Sequence, residues 1–202
     1  MLLCDIGNTS YHFLDDENDY KESVSSFDPQ SISEKVYYIC VNKEVEKKLS
    51  NLNNWIDLSK NIDMTNYYDT MGIDRIVACE AIKNGVIIDA GSAVTVDVVK
   101  DGVFNGGFIY PGIDAMNRTY ADISSALKYG FNFDVDLKKL PKNSQDAISY
   151  AYLKTIYNEV VSQNMQIYIT GGDAKRFAKI FKNANVDERL LFKSMKDKLE
   201  KK

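Results

Sequence analysis

The 202-residue sequence predicts an α/β protein made of two similar half-domains, each with a mixed sheet flanked by helices. The first observation behind this prediction is a weak repeat: LLCDIGNT at residues 2–9 is echoed by VIIDAGSA at residues 86–93. In each copy an apolar run ends at Asp-x-Gly, and a second extended run follows. The second observation is that segments with helical periodicity follow both copies. We therefore expect residues 1–84 and residues 85–202 to form the two halves.

Extended segments are predicted from short runs rich in apolar and β-branched residues. Tyr11–Leu14 follows the first Asp-x-Gly turn, and Val94–Val99 follows the second. Asp101 and Gly102 form a strong signal for a two-residue hairpin. The other predicted strands, including the two that this hairpin joins, lie at residues 36–41, 95–100, 103–109 and 166–170.

Helices are predicted where apolar residues recur every three or four positions. These segments are residues 74–84, 113–127, 144–163 and 173–182. Ser144 is of the residue type that caps helix N-termini. Residues 193–202 predict a charged helix that frays at its end and carries no site.

Composition favours a globular protein that acts on small molecules. Hydrophobic residues make up 45% of the chain and charged residues 27%. The net charge of -4 and pI near 5.1 give no basis for binding nucleic acid or an anionic membrane. The three cysteines are widely spaced and predict buried thiols. The N-terminus lacks the features of a signal peptide, and no apolar run reaches about 18 residues, so we expect a cytoplasmic protein.

The first Asp-x-Gly turn has the residue types of a phosphate and metal site. Gly7 allows close approach of the backbone to a ligand, Asn8 and Thr9 supply short donors, and Asp5 can face a hydrated Mg²⁺. Such turns between strands are also common without function. A second copy at residues 89–92 strengthens the functional interpretation, because two phosphate-type turns would then face one cleft. Neither a P-loop nor a Rossmann fingerprint is present.

Three other segments have both a structural and a functional interpretation. In the segment 72–75, one interpretation makes Asp74 a first-turn acid favoured by the helix dipole, with Arg75 solvated. The other makes Asp74 a base for a substrate hydroxyl and Arg75 a bidentate donor to a substrate carboxylate. The glycine-rich segment 106–112 either lies against phosphates or turns a strand into a helix. The segment 170–173, Thr-Gly-Gly-Asp, has the form of a loop that passes close to a nucleotide.

Together and in this order, four motifs resemble those of the type III pantothenate kinases. They are Asp5-Ile6-Gly7-Asn8-Thr9, Gly72-Ile73-Asp74-Arg75, Asp89-Ala90-Gly91-Ser92-Ala93-Val94-Thr95-Val96-Asp97 and Gly106-Gly107-Phe108-Ile109-Tyr110-Pro111-Gly112-Ile113. The resemblance extends through Asn143-Ser144 and Thr170-Gly171-Gly172-Asp173 over most of the chain. It implies the actin-like, ribonuclease H-like fold of the acetate and sugar kinase, heat-shock protein and actin superfamily, duplicated around a central cleft.

The resemblance also implies an activity and its residues. The activity is ATP-dependent phosphorylation of pantothenate to 4′-phosphopantothenate, the first step of coenzyme A biosynthesis, by a homodimer. The implied ATP-binding residues are Asp5, Ile6, Gly7, Asn8, Thr9, Ser10, Tyr11, His12 and Ser92. The implied pantothenate-binding residues are Gly72, Ile73, Asp74, Arg75 and Ser144, with Asp74 as the catalytic proton acceptor. Asp5 would face Mg²⁺ through water, and Asp89 would bind a monovalent cation, K⁺ or NH₄⁺.

The chain departs from the family pattern at a few positions. Ser92 and Ser144 stand where threonine is usual, and both keep the hydroxyl. The family has a tyrosine upstream of the Gly-x-Asp-Arg motif, and here both Tyr67 and Tyr68 are candidates. His12, the only histidine, is expected to have a packing or surface role.

Two other functions stay open from the sequence. One is a non-catalytic accessory protein of the same fold that influences gene regulation; the joint presence of Asp5, Asp74, Arg75 and Asp89 argues against it. The other is a kinase or phosphatase of the superfamily that acts on another small hydroxyl substrate, such as a sugar. Only the segment 72–75 speaks against that second function.

Overall fold

The computed structural model, which describes residues 1–16 and 18–200, has two five-stranded mixed sheets. Each sheet belongs to one of two compact units: Met1–Ala81 together with the chain from Arg189 onward, and Ile82–Glu188. The first sheet contains β1 (Leu2–Ile6), β2 (Ser10–Asp15), β3 (Asn18–Ser23), β4 (Val36–Cys40) and β5 (Trp55–Asp57). The second contains β6 (Gly85–Ala90), β7 (Ala93–Lys100), β8 (Val103–Pro111), β9 (Ile167–Thr170) and β10 (Asn185–Val186).

The two sheets have the same topology. The first has the order β3-β2-β1-β4-β5 and the second, written from its other edge, β8-β7-β6-β9-β10. In both, the first strand pairs antiparallel with the second and parallel with the fourth. The second and third strands pair antiparallel, and the fourth and fifth pair parallel. The predicted duplicated α/β architecture is therefore confirmed.

Six α-helices accompany the sheets in the described part of the chain. They are α1 (Lys43–Leu49), α2 (Ile73–Glu80), α3 (Ile113–Ile123), α4 (Ser144–Ser162), α5 (Ala174–Phe177) and α6 (Leu190–Glu200). None of these helices is both long enough and apolar enough to cross a membrane.

Side-chain alternation on β1 separates the core of the first unit from its polar positions. Leu2, Cys4 and Ile6 pack into one buried cluster with Tyr11 and Trp55. Because successive side chains of a strand point to opposite faces, Asp5 lies on the other face. There the His12 ring, which is paired with Asp5 across the sheet, packs edge-on against Phe192 of α6 at 4.9 Å between centroids. The expected packing role of His12 is confirmed.

The core of the second unit is built on the corresponding face of β6 and β7. Val86, Ile88 and Ala90 pack with Val94 and Val96 against α4. Alternation places Asp89, Thr95 and Asp97 on the opposite face of the same two strands. The core of this unit also takes in buried aromatic residues from the loop between α3 and α4, namely Phe131 and Phe133.

Three predicted helices end earlier than expected. Helix α3 ends at Ile123 instead of residue 127, and a separate 3-10 turn follows at Ser125–Leu127. Helix α2 ends at Glu80 instead of residue 84, because residues 83 and 84 bond to the tip of the β7–β8 hairpin. There the Lys83 carbonyl accepts a hydrogen bond from Gly102 N at 2.8 Å, and Asn84 Oδ1 accepts one from Asp101 N at 2.8 Å. Helix α5 ends at Phe177 instead of residue 182. The Asp101-Gly102 hairpin itself is confirmed, with φ of 52° and 79°.

The C-terminal helix is packed, whereas the sequence predicted a charged helix that frays at its end. It begins at Leu190, and its Leu191, Phe192 and Met195 side chains are buried. Lys198 Nζ lies 2.6 Å from a carboxylate oxygen of Glu80 in α2. The apolar stripe was not recognised in the sequence because lysines surround it. Residues 201 and 202 of the predicted segment lie outside the described residues.

Candidate active site

The first Asp-x-Gly turn presents polar side chains at the carboxyl end of β1. Its backbone is closed by a hydrogen bond from Gly7 N to Ser10 O at 3.0 Å and held by a second one from Val24 N to Thr9 O at 3.0 Å. Asn8 and Thr9 are exposed, and Asp5 is half-buried. The side chains of Asn8, Thr9 and Asp5 therefore project from a turn whose backbone is fixed by hydrogen bonds.

Asn42 supports this turn, although the sequence did not indicate that role. Its side-chain oxygen caps α1 by accepting from Glu44 N and Val45 N, and its Nδ2 lies 3.5 Å from Asn8 O. The preceding residue, Val41, donates its N–H to Ile6 O at 3.0 Å. An asparagine in front of a polar helix is an N-cap signal, but sequence spacing cannot show what its amide group meets.

Three of the eight residues implied for ATP binding in this turn direct their side chains into the protein. Ile6 and Tyr11 are at most 1% exposed, and His12 packs against Phe192. Any contribution of Ile6 and Tyr11 to a ligand site is thus limited to the backbone. The outward side chains are those of Asn8 and Thr9.

The second turn repeats the first with one residue fewer. The last β1–β2 pair is Ile6 with Tyr11, whereas the last β6–β7 pair is Ala90 with Val94. Gly91 N accordingly donates to Ala93 O at 3.0 Å. The shorter loop leaves Ser92 exposed at the tip.

Two glycines from distant motifs hold this second turn. Gly112 N donates to Ser92 O at 3.1 Å, and a Cβ on Gly112 would overlap the carbonyl oxygens of Gly91 and Ser92. Gly112 precedes the first residue of α3. The glycine-rich segment therefore both turns strand β8 into α3 and lies against the turn, so its two interpretations do not exclude each other.

Gly171 approaches the same turn from the other side. It has φ of +89°, and a Cβ there would overlap Asp89 Oδ1 and lie 2.5 Å from Ala90 O. Asp173 N donates to that same Ala90 carbonyl at 2.9 Å. The Thr-Gly-Gly-Asp loop is thereby fixed beside Asp89.

The donors around Asp89 are oxygen atoms. Asp89 is half-buried and is paired with Thr95 on one side and Thr170 on the other. Oxygen donors suit hard cations such as Mg²⁺ and monovalent alkali ions and do not favour zinc. No group of three His, Cys, Asp or Glu residues within residues 1–16 and 18–200 could hold a metal.

Asp74 folds back over the start of α2. Its Oδ1 accepts a hydrogen bond from Arg75 N at 2.8 Å, and a Cβ on Gly72 would lie 2.5 Å from that oxygen. The absence of a side chain at Gly72 therefore makes room for the carboxylate. Burial raises the pKa of Asp74 above its usual value, and the backbone hydrogen bond opposes this shift only in part. A half-buried carboxylate with a raised pKa has the properties of a proton acceptor.

Arg75 is buried, so the alternative of a solvated arginine is wrong. Its side chain is 5% exposed, and Nη1 donates to the Tyr68 hydroxyl at 2.5 Å. The guanidinium carbon lies 5.8 Å from the centroid of the Tyr68 ring. Tyr68 is 43% exposed and thus joins a buried cation to the surface. Tyr67 is half-buried, and burial raises its pKa.

Ser144 is exposed and is the first residue of α4, not its N-cap. The N-cap is Asn143, whose side chain accepts from Asp146 N at 2.9 Å. Asparagine and serine are both favoured caps, so residue type alone could not choose between the two neighbours.

Comparisons with known proteins agree with this geometry. The family model of type III pantothenate kinases matches residues 30–163. A type III pantothenate kinase of Sulfurimonas denitrificans is 61% identical over 100% of this chain and 98% of its own length. One from Helicobacter hepaticus is 43% identical over 100% and 99%.

Solved structures give the same fold. A Campylobacter jejuni protein named for the Baf family of transcriptional activators is 37% identical, with a TM-score of 0.91 over 100% of this chain and 98% of its own. A Sinorhizobium meliloti protein named for 2-dehydro-3-deoxygalactonokinase is 8% identical, with a TM-score of 0.58 over 99% and 96%. The latter likeness shows the fold alone.

The contact between Gly112 and the second turn generates a testable expectation. Gly112→Ala should lower the free energy of unfolding by about 1–3 kcal/mol, because its methyl group would overlap two carbonyl oxygens of the turn. Urea unfolding followed by circular dichroism measures this. Gly130→Ala is the matched control, since a Cβ there meets no atom within 4 Å. Equal stability of the two variants would contradict the tight contact.

Proposed function

Because the chain belongs to the type III pantothenate kinase family, we propose that it transfers the γ-phosphoryl group of ATP to pantothenate. The product is 4′-phosphopantothenate, and the reaction opens coenzyme A biosynthesis. The observation that carries the proposal is 61% identity to a type III pantothenate kinase over the whole chain. The half-buried Asp74 and the buried Arg75 would supply a proton acceptor and a carboxylate-binding group for this chemistry.

On the ATP side, we propose that the two turns contact the phosphates. Asn8, Thr9 and Ser92 are the exposed hydroxyl and amide side chains of these turns, and the glycines allow close approach of the backbone. Phosphoryl transfer depends mostly on such positioning and on neutralising charge. The proposed ligand residues are Asp5 to His12 and Ser92.

The ions are proposed from the oxygen donors present. Asp5 would hold Mg²⁺ through water, and Asp89 would hold K⁺ or NH₄⁺. A bound Mg²⁺ would supply neutralisation of phosphate charge. Asp89 is supported as a ligand by its half-buried position between two threonines.

On the pantothenate side, we propose that Arg75 pairs with the carboxylate and that Asp74 accepts the hydroxyl proton late in the transfer. Burial strengthens the Arg75 pairing, because a charge pair is screened less away from water. Gly72 and Ile73 complete the start of α2, and Ser144 is proposed as a further hydroxyl contact. Tyr68 is the candidate for the family tyrosine, because its hydroxyl contacts Arg75.

We also propose a cytoplasmic homodimer. Helix α3 buries only Ile113 within its own chain, and large apolar side chains are exposed in the same unit. These are Ile109, Ile123, Tyr129 and Leu140, with exposures of 60%, 67%, 40% and 79%. A contiguous exposed apolar surface is typical of an interface. A symmetric dimer would cover it.

A second candidate function is supported by one comparison. The Campylobacter jejuni structure carries a name that assigns it to transcriptional activators. A non-catalytic accessory role would need ATP binding without turnover.

The proposal is tested by ATP consumption of the purified protein with pantothenate, with and without potassium, using a panel of sugars as the control. We expect turnover that requires pantothenate and is higher with potassium, and Asp89→Asn should abolish the potassium effect. Turnover with a sugar instead would identify a different kinase. Bound ATP with no turnover on any substrate would favour the accessory role.

Asp74→Asn should reduce turnover by about 10²–10⁴-fold and leave the Kd for ATP nearly unchanged. Its free energy of unfolding at pH 7 should not fall. Because the folded pKa of Asp74 is raised, the wild-type protein loses this group's stabilisation as pH rises through that pKa, and the Asn variant does not. Steady-state kinetics and unfolding at several pH values measure both effects.

Asp63→Asn is the matched control for this experiment. Asp63 is an exposed turn carboxylate whose pKa is lowered by its bonds to the hydroxyl and N–H of Thr65. It should leave turnover unchanged. Near wild-type turnover of Asp74→Asn would remove the proton-acceptor assignment.

Tyr68→Phe should raise the KM for pantothenate about tenfold, because it removes a hydrogen bond to a buried cation. The KM for ATP should stay within about twofold of wild type. The effect should disappear with the alcohol analogue of pantothenate, which lacks the carboxylate that Arg75 binds. Tyr67→Phe is the matched control, and an equal effect of both variants would contradict the assignment of Tyr68.

A further inference from the structure

The first turn of α4 carries a carboxylate, Asp146, that joins it to the preceding loop. Asp146 Oδ1 accepts a hydrogen bond from Asn132 Nδ2 at 2.7 Å, and Oδ2 accepts one from Asn143 Nδ2 at 2.8 Å. Asp146 N in turn donates to Asn143 Oδ1 at 2.9 Å. This is a variant of the capping box, since the acid bonds to the cap's side chain. One carboxylate thus fixes both the cap and the loop.

Neighbouring bonds secure the same loop. Asn132 N donates to Ser149 Oγ at 2.8 Å, and Ser149 Oγ donates to Gln145 O at 2.8 Å. Gln145 Nε2 reaches Gly130 O at 3.0 Å. Ser149 is fully buried, so this part of the contact is shielded from water. Residues 130–132 are therefore bonded to the first two turns of α4 by side chains of that helix.

Asp146 is suited to this task as an anion. Hydrogen bonds from the amide groups of Asn132 and Asn143 lower its pKa, so it is ionised at neutral pH. Bonds to a charged acceptor are stronger than bonds between neutral groups. The negative charge also lies at a helix N-terminus, where the helix dipole favours it.

We propose that Asp146 is a positioning residue for Ser144, and that through it Asp146 sets the affinity for the pantothenate end of the substrate. Ser144 lies between the cap Asn143 and Asp146 in the first turn of α4. Because Ser144 is exposed, core packing does not fix its side chain; the cap and its cross-link hold the backbone from which that side chain projects. The inference rests on the proposed function, in which Ser144 contacts pantothenate.

Pantothenate binding to Asp146→Asn, measured by isothermal titration calorimetry and by KM, tests the inference. The new amide would place an N–H₂ group against that of Asn132 or of Asn143, so at least one bond is lost together with the charge. We expect the Kd and KM for pantothenate to rise about tenfold. The KM for ATP and kcat at saturation should stay within about twofold. If Asp146 had only a structural role in the helix cap, Asp146→Asn would lower the free energy of unfolding without raising the KM for pantothenate selectively over the KM for ATP.

Asp136→Asn is the matched control. Asp136 lies in the same loop, accepts from Lys138 N at 2.9 Å and also has a lowered pKa. It should leave both KM values unchanged. If Asp146→Asn does not fold by circular dichroism, Asn132→Ala removes the 2.7 Å bond from the other side and should raise the Kd in the same direction.

A double-mutant cycle with Ser144→Ala separates the outcomes. If Asp146 acts through Ser144, Asp146→Asn adds no further rise in Kd to the Ser144→Ala variant. If the two substitutions raise the Kd for pantothenate independently, so that their fold-changes multiply in the double variant, the inference is overturned. An equal change in the KM for ATP would also overturn it. Pantothenate turnover that is unaffected by Ser144→Ala would overturn it while leaving the proposed function intact. A wild-type protein that does not bind pantothenate would overturn both.

Discussion

The central strand of each sheet is the constraint on which the candidate site depends. β1 and β6 are each hydrogen-bonded on both sides, antiparallel to one neighbour and parallel to the other. The backbone N–H and C=O groups of these strands are thereby hydrogen-bonded along the strand, and the chain turns sharply at Gly7 and Gly91. Asp5 and Asp89, two residues before these glycines, are therefore held at the carboxyl end of a strand that cannot shift its register without moving the whole core face.

Two carboxylates at helix starts show how surroundings decide the charge state. Asp74 and Asp146 both lie in the first turn of a helix. The Asp74 carboxylate accepts a hydrogen bond from a backbone N–H, that of Arg75, whereas the Asp146 carboxylate accepts from the side-chain amides of Asn132 and Asn143. Burial dominates at Asp74 and raises its pKa, whereas two side-chain amides dominate at Asp146 and lower its pKa. The first is suited to exchange a proton and the second to hold a fixed negative charge, although sequence position alone would treat them as the same helix-start acid.

The sequence could predict the duplication and the turns, because both follow from local patterns, but it could not predict contacts made over distance. The edge strand β3 was missed because all six of its residues are exposed, so no apolar alternation marks it. Tyr68 could not be separated from Tyr67, because Arg75 is reached across an irregular segment with no fixed period. The role of Gly112 likewise depends on a turn some 20 residues earlier in the chain. Ser144 was placed one residue off because its neighbour caps equally well.

The return of α6 to the first unit affects the order in which the protein can fold during synthesis. The ribosome releases Ile82–Glu188 before the last helix, so that unit has its complete sequence first. The face of β2 that carries His12 is covered only when Phe192 of α6 has been synthesised and packs against it. Until then the growing chain exposes the apolar surface that α6 covers, and a chain that ended before Leu190 would leave that surface uncovered. Helix α6 therefore completes the unit to which β1 and β2 belong.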